Sequence, residues 1–119
     1  MSDLYEMQLI GRLAADPETR YTENGRLVAN FRVAVNRKWK SADGEAREAT
    51  DWVDVAAWGK LAELCDQYLA KGRRVWVRGR PKARAWIGKD GEAHAGLQVT
   101  VREIQFLDGS RVGETTEDE

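Results

Sequence analysis

Apolar and polar positions alternate along several stretches of the chain, and the one that organises the rest runs from Thr50 to Lys60. Strand period two puts Val53, Val55 and Ala57 on one face and Trp52, Asp54, Ala56 and Trp58 on the other. The aliphatic face suits a core. The two indoles opposite it need another cover: a partner subunit, a different part of the chain, or a flat aromatic ligand such as an unstacked base. Leu27 to Val35 is the clearest strand, with Phe31, Val33 and Val35 inward, Asn30, Arg32 and Ala34 on the other side, and a polar continuation through Lys40. Met7 to Leu13 alternates loosely before Asp16-Pro17, where proline removes a donor and bends the chain. Asn24-Gly25 marks a hairpin turn, and Asp43-Gly44 lies in the polar loop Ser41 to Ala49.

After Gly59, the residues Leu61, Leu64, Cys65, Tyr68 and Leu69 form one apolar helix stripe, which Lys71-Gly72 is expected to close. Val75 to Arg80 is strand-like, and Pro81 sets a break or an edge. Gly88 to Gly91 is a hairpin tip, and Leu97 to Val101 is a last strand that runs on through Ile104 and Phe106. The order strand, strand, strand, helix, strand, strand predicts an all-β fold, a five-stranded OB-fold Greek-key barrel with one helix between strands 3 and 4. A small β-sandwich with a capping helix is the competitor, but it supplies no reason for aromatics on outward faces.

Length supports a single domain of residues 1–107, followed by 108–119, a short acidic tail without periodicity that is expected to be disordered. No apolar run approaches the roughly 20 residues of a membrane span, and the first residues lack the features of a signal peptide, so a cytoplasmic protein is expected. The net charge of -1 hides an uneven distribution. From Lys71 to Lys89 every charged residue is basic, whereas Glu114, Glu117, Asp118 and Glu119 make the end acidic. A charge run is often only a solvated face. Here Trp76 and Trp86 lie within it, and Trp39 and Trp58 have Lys38, Lys40 and Lys60 beside them.

Stacking on an indole works for any base, and lysine or arginine neutralises phosphates without reading sequence, so these residues describe a sequence-tolerant groove for single strands. Each tryptophan alone would equally fill a core or join subunits. Enzyme chemistry finds little support. Asp51 and Asp54 fall on opposite strand faces, Asp16 and Glu18 sit at a proline turn, and His94 has no nucleophile nearby in sequence. One cysteine, Cys65, and one histidine build neither a disulfide nor a zinc site unaided, so no catalytic residue, metal or cofactor is expected.

From Met7 to Leu107 the chain resembles the bacterial single-stranded-DNA-binding protein family. The matching pieces are Ile10-Gly11-Arg12-Leu13, Asp16-Pro17-Glu18-Thr19-Arg20-Tyr21, Asn24-Gly25, Val28-Ala29-Asn30-Phe31 and Trp39, then Glu48-Ala49-Thr50-Asp51-Trp52 and Trp58-Gly59-Lys60-Leu61-Ala62-Glu63. They end with Tyr68-Leu69-Ala70-Lys71-Gly72, Val75, Gly79 and Arg84-Ala85-Trp86. The resemblance implies an OB fold, assembled as a homotetramer, that wraps single-stranded DNA during replication, recombination and repair in the nucleoid. It implies stacking by Trp39, Trp52, Trp58 and Trp86 and backbone contacts from Lys60, Lys71 and Arg84. Arg12, Arg32, Lys38, Lys40 and Arg73 complete the phosphate candidates.

Three departures stand out. Val53 and Asp54 replace a histidine and an arginine common in the family, which puts one phosphate contact and part of a subunit contact in doubt. Arg74 and Trp76 fall on a strand that the family uses between subunits, so Val53, Arg74 and Trp76 are the interface candidates. The long tail that ends in apolar residues is missing, which implies weak recruitment of replication and repair proteins or an accessory role. In that second reading the tryptophans serve mainly an interface of a replication assembly. Asp54 is expected either to face a cation such as Arg78 or to mark where DNA does not run.

Overall fold

The computed structural model describes residues 3–108. Six strands and one helix follow in the order β1 (Met7–Leu13), β2 (Glu18–Tyr21), β3 (Leu27–Lys40), β4 (Ala46–Trp58), α1 (Lys60–Tyr68), β5 (Arg74–Ile87) and β6 (Ala93–Phe106). Five of the strands close a ring, with β1 beside β5, then β6, β4 and β3, and β3 back against β1. All of these contacts are antiparallel except that between β4 and β6. This is the five-stranded OB-type barrel predicted from the element order, with the helix between its third and fourth strands.

The sixth strand, β2, is an arm outside the ring. It pairs only with β3, from Glu18 opposite Asn30 to Tyr21 opposite Leu27, and all four of its residues are exposed. Pairing alone makes it a strand, since Glu-Thr-Arg-Tyr has no apolar alternation to announce it.

Inward positions follow the period-two reading. Phe31 and Val33 of β3 and Val53 and Val55 of β4 meet Leu9, Leu13, Val75, Val77 and Val99 in one buried cluster. The helix seals it with Ala62 and Cys65, and Leu69 just beyond the helix joins them, whereas Tyr68 lies half-exposed with its ring 5.6 Å from that of Phe106. The expected helix stop is displaced. Leu69 already has extended backbone, and the Gly72 φ of 87° belongs to a separate turn whose N–H donates to Leu13 O. That turn ties the end of the helix segment to β1.

Pro81 does not break β5. The strand runs through it, opposite Val99 of β6, and beyond Gly79 it has left β1, so the missing N–H falls on an open edge. Gly79 itself sits at a register shift, where a Cβ would collide with the carbonyl of Thr100. Only glycine allows the two backbones so close.

Candidate nucleic-acid interface

The outward face of the barrel carries the aromatic and basic side chains. Residues opposite one another on neighbouring strands share a face, so Trp52 and Asp54 of β4 stand with Ala34 and Arg32 of β3, and with Gln98 of β6. Arg84 and Trp86 of β5 continue that face through their partners Gly96 and His94. Trp52 is 54% exposed and Trp86 40%. The Trp86 ring packs over Gly96, where an added Cβ would be in ordinary contact with it at 3.6 Å.

Trp86 is held from two directions. His94 stacks against it with ring centroids 5.6 Å apart and planes 19° off parallel, and the Arg84 guanidinium lies 5.2 Å from its centroid. His94 also faces Asp90 across 3.4 Å in the hairpin tip. The Glu92 backbone N–H, and secondarily His94, hold the Asp90 carboxyl below the ordinary carboxylate range. The local sequence, which offers His94 no nucleophile, does not show this contact with Trp86. The signal that would have found it is the symmetric pairing of Trp86 and His94 about the hairpin tip.

Trp58 does not lie on an open platform with Trp52. Between them Ala56 is 3% exposed, and Val28 opposite Trp58 is 1% exposed, so the face closes over toward that end of β4. Trp58 is half-buried, with the Arg26 guanidinium 4.6 Å from its ring. Arg26 comes from the turn after β2, and nothing in the local sequence points to this contact. Lys60, exposed at the first turn of α1, follows two residues later.

Trp39 sits on the far part of the β3–β4 hairpin. Its odd-numbered register puts it with Arg37, Arg47 and Asp51, on the face opposite that of Trp52, while Lys38 and Lys40 point the other way. Arg37 lies 5.3 Å from the Trp39 ring and also donates from Nε to Asp51 Oδ2 at 2.6 Å. A single flat surface carrying Trp39, Trp52, Trp58 and Trp86 is thus not what the fold builds. The tryptophans occupy different aspects of the barrel and its hairpins.

Asp54 meets two cations, and neither is Arg78. Its Oδ1 accepts from Arg32 Nε at 3.0 Å and its Oδ2 faces Arg84 Nη1 at 3.4 Å. Arg78 instead lies on the outer face of β1, β5 and β6, paired with Glu6 at 2.7 Å and Glu103 at 2.9 Å, and these partners, Glu103 first, raise its pKa. Arg12, Lys71, Arg73 and Arg74 gather at the opposite end of β5 from Trp86. There Arg12 donates to Gly72 O and pairs with Asp108, Arg73 reaches the Asp108 carbonyl, and the Arg74 N–H donates to the Asp108 carboxylate. The Lys71 backbone N–H is bound by Asp16, which leaves its ammonium exposed.

Of the interface candidates, Val53 is 4% exposed and faces this chain's own core. Trp76 is outward, donating its indole N–H to Gln8 Oε1 at 3.1 Å beside the half-exposed Ile10 opposite it. A groove of about 530 Å³ runs beside Trp52 and is lined by Met7, Leu9, Ile10, Val35 and Leu97 among others. Among the described residues no group of acidic, histidine or cysteine side chains could hold a metal, and no helix is long and apolar enough to cross a membrane. The acidic stretch after Asp108 lies outside the described residues.

Comparison with known proteins agrees with this architecture. The single-stranded DNA-binding protein 1 of Chlorobaculum tepidum is 39% identical over 116 residues, 97% of this chain and 72% of that protein. The single-stranded DNA-binding protein of Neisseria meningitidis is 41% identical over 106 residues, and this chain spans 61% of its length. A Plasmodium falciparum SSB solved in complex with single-stranded DNA superposes with a TM-score of 0.78 at 29% identity, covering 91% of this chain and 98% of that one. Residues 4–107 match the model of the single-strand binding protein family, whose members are non-enzymatic DNA-binding proteins, and the chain belongs to that family.

Proposed function

We propose that this protein binds single-stranded DNA without sequence preference, stacking bases on its outward tryptophans and neutralising phosphates with the arginines and lysines around them. The observation that carries the reading is the continuous outer face of Trp52, Arg32, Arg84 and Trp86, drawn from three strands of a closed barrel. Indoles left half-exposed in a small barrel are costly unless something covers them, and an unstacked base is a flat apolar cover. Relatives named as single-stranded DNA-binding proteins support it.

In this reading Trp39, Trp52, Trp58 and Trp86 stack, and Lys38, Lys40, Lys60 and Lys71 reach the backbone beside Arg12, Arg32, Arg73 and Arg84. Residues 1–107 form the binding unit, and the protein protects exposed strands during replication, recombination and repair. The Ile10 and Trp76 surface joins copies of the chain into a homo-oligomer, a tetramer by resemblance. The alternative, an interaction module whose tryptophans bury in subunit contacts, draws its support from that same surface.

Titration with oligo-dT at several salt concentrations tests the reading. Intrinsic tryptophan fluorescence should quench, and the slope of log affinity against log salt should be about -0.7 for each phosphate neutralised. Absence of quenching at low salt refutes it. Light scattering on Trp52→Ala separates the alternatives, since loss of binding with the mass unchanged favours DNA and dissociation favours the interface.

A further inference from the structure

The two carboxylate oxygens of Asp54 each have their own guanidinium, Arg32 from the neighbouring strand β3 and Arg84 from β5. A phosphodiester also presents two free oxygens and is recognised by guanidinium through the same charge-assisted hydrogen bonds. We infer that Asp54 is a built-in stand-in for a DNA phosphate. It holds the two arginines and occupies them, so a bound strand gains those contacts only by exchange with an internal carboxylate. The inference rests on the single-strand-binding reading above.

Position supports it first. Asp54 is two residues from Trp52 on one face of β4, and Arg84 is two residues from Trp86 on the same face of β5. Across the sheet Arg32, Asp54 and Gln98 form one row, Trp52, Gly96 and Arg84 the next, and His94 and Trp86 the third. A strand lying over both indoles thus meets Arg84 between them and reaches Asp54 and Arg32 by continuing past Trp52. Access supports it next: the side chains of Arg32, Arg84 and Asp54 are 56%, 45% and 31% exposed, beside an open depression of about 500 Å³ that Asn30 and Gln98 also line. Ion pairs this exposed are weakly held and readily exchanged. Asp16 and Glu18 line the same depression and add to the negative field there. Finally, Arg84 lies over the Trp86 ring while it faces Asp54, so one guanidinium joins the anion site to the stacking site.

The exchange has a thermodynamic signature. A phosphate that replaces a carboxylate on an arginine brings no new neutralisation, so Asp54 lowers affinity and flattens its salt dependence together. Asp54→Asn should tighten oligo-dT binding several-fold at 0.1 M salt and steepen the salt slope by about 0.7, the value for one further phosphate neutralised.

Glu63→Gln, which removes an equal charge from an exposed helix position, controls for net charge and should change binding less. Adding Arg32→Gln or Arg84→Gln to Asp54→Asn should cancel the gain. Circular dichroism checks the fold, and Asp54→Ser replaces the asparagine variant if that one unfolds. Wild-type binding with an Asp54→Asn affinity no tighter than that of Glu63→Gln, or with an unchanged slope, overturns this inference alone. Absence of binding by wild type and variant at low salt overturns the function proposed above, and this inference with it.

Discussion

Truncating Trp52 to alanine tests the stacking surface at its most open point. Of the four stacking candidates, Trp39, Trp58 and Trp86 each have an arginine over the ring, at 5.3, 4.6 and 5.2 Å, whereas among the described residues Trp52 has none. A base that stacks on a covered ring must first displace a cation worth roughly 0.5 to 1 kcal/mol at an exposed site. Stacking itself contributes about 1 to 3 kcal/mol per base. Trp52→Ala should therefore cost about 5- to 150-fold in affinity, and truncation of a covered tryptophan less, from no loss to about 60-fold, at a factor of ten per 1.4 kcal/mol. Anisotropy of a dye-labelled oligo-dT at fixed 0.1 M salt reads this without depending on the deleted fluorophore. Light scattering must show the mass unchanged. An affinity within twofold of wild type, with fold and mass intact, refutes stacking at Trp52. A larger loss from Trp39→Ala than from Trp52→Ala refutes the argument from covering cations.

Val77, fully buried between Leu9 and Ile104, loses two carbons in Val77→Ala; at about 0.8 kcal/mol each plus a cavity term the loss is about 2 to 3 kcal/mol, read as a lower urea midpoint with the same m-value. A loss below about 0.5 kcal/mol would mean that the site collapses. Gly79→Ala drives a methyl into the Thr100 carbonyl and should destabilise by more than about 2 kcal/mol; an unshifted melting temperature would contradict the close approach. Burial pushes the Cys65 thiol up to about 12 from an ordinary value of 9.0, so the native protein should resist thiol reagents at pH 8 and react once unfolded in urea. Because the native state keeps that proton longer than the unfolded chain, this contribution is complete below pH 9 and is lost between about pH 9 and 12. Cys65→Ser should remove that part of the alkaline decline.

Much of this protein is legible in one dimension. Period-two alternation identifies the inward residues of β3 and β4, because a pleated strand with one buried face allows no other assignment. The helix, the hairpin turns and the outward direction of Trp52 follow from spacing in the same way. Other features depend on residues distant in sequence. The β2 arm exists only because β3 offers it an edge, and the turn after the helix is tied down by Leu13 receiving the Gly72 N–H across 59 positions. The covering of Trp58 by Arg26, and the separation of Trp39 from Trp52, come from how the strands curve and pair.

Asp54 marks the boundary between the two kinds of information. Its outward direction is set by the alternation of β4, and an anionic group among stacking residues is evident from the chain alone. That its partners are Arg32 and Arg84 rather than Arg78 was decided by the ring closure, which brings β3, β4, β6 and β5 side by side and sends Arg78 to the far face. Local sequence determines which way a side chain points, since that depends on backbone geometry over a few residues. Which charge it meets depends on strand order and register, and those are fixed only when the whole barrel closes around its core.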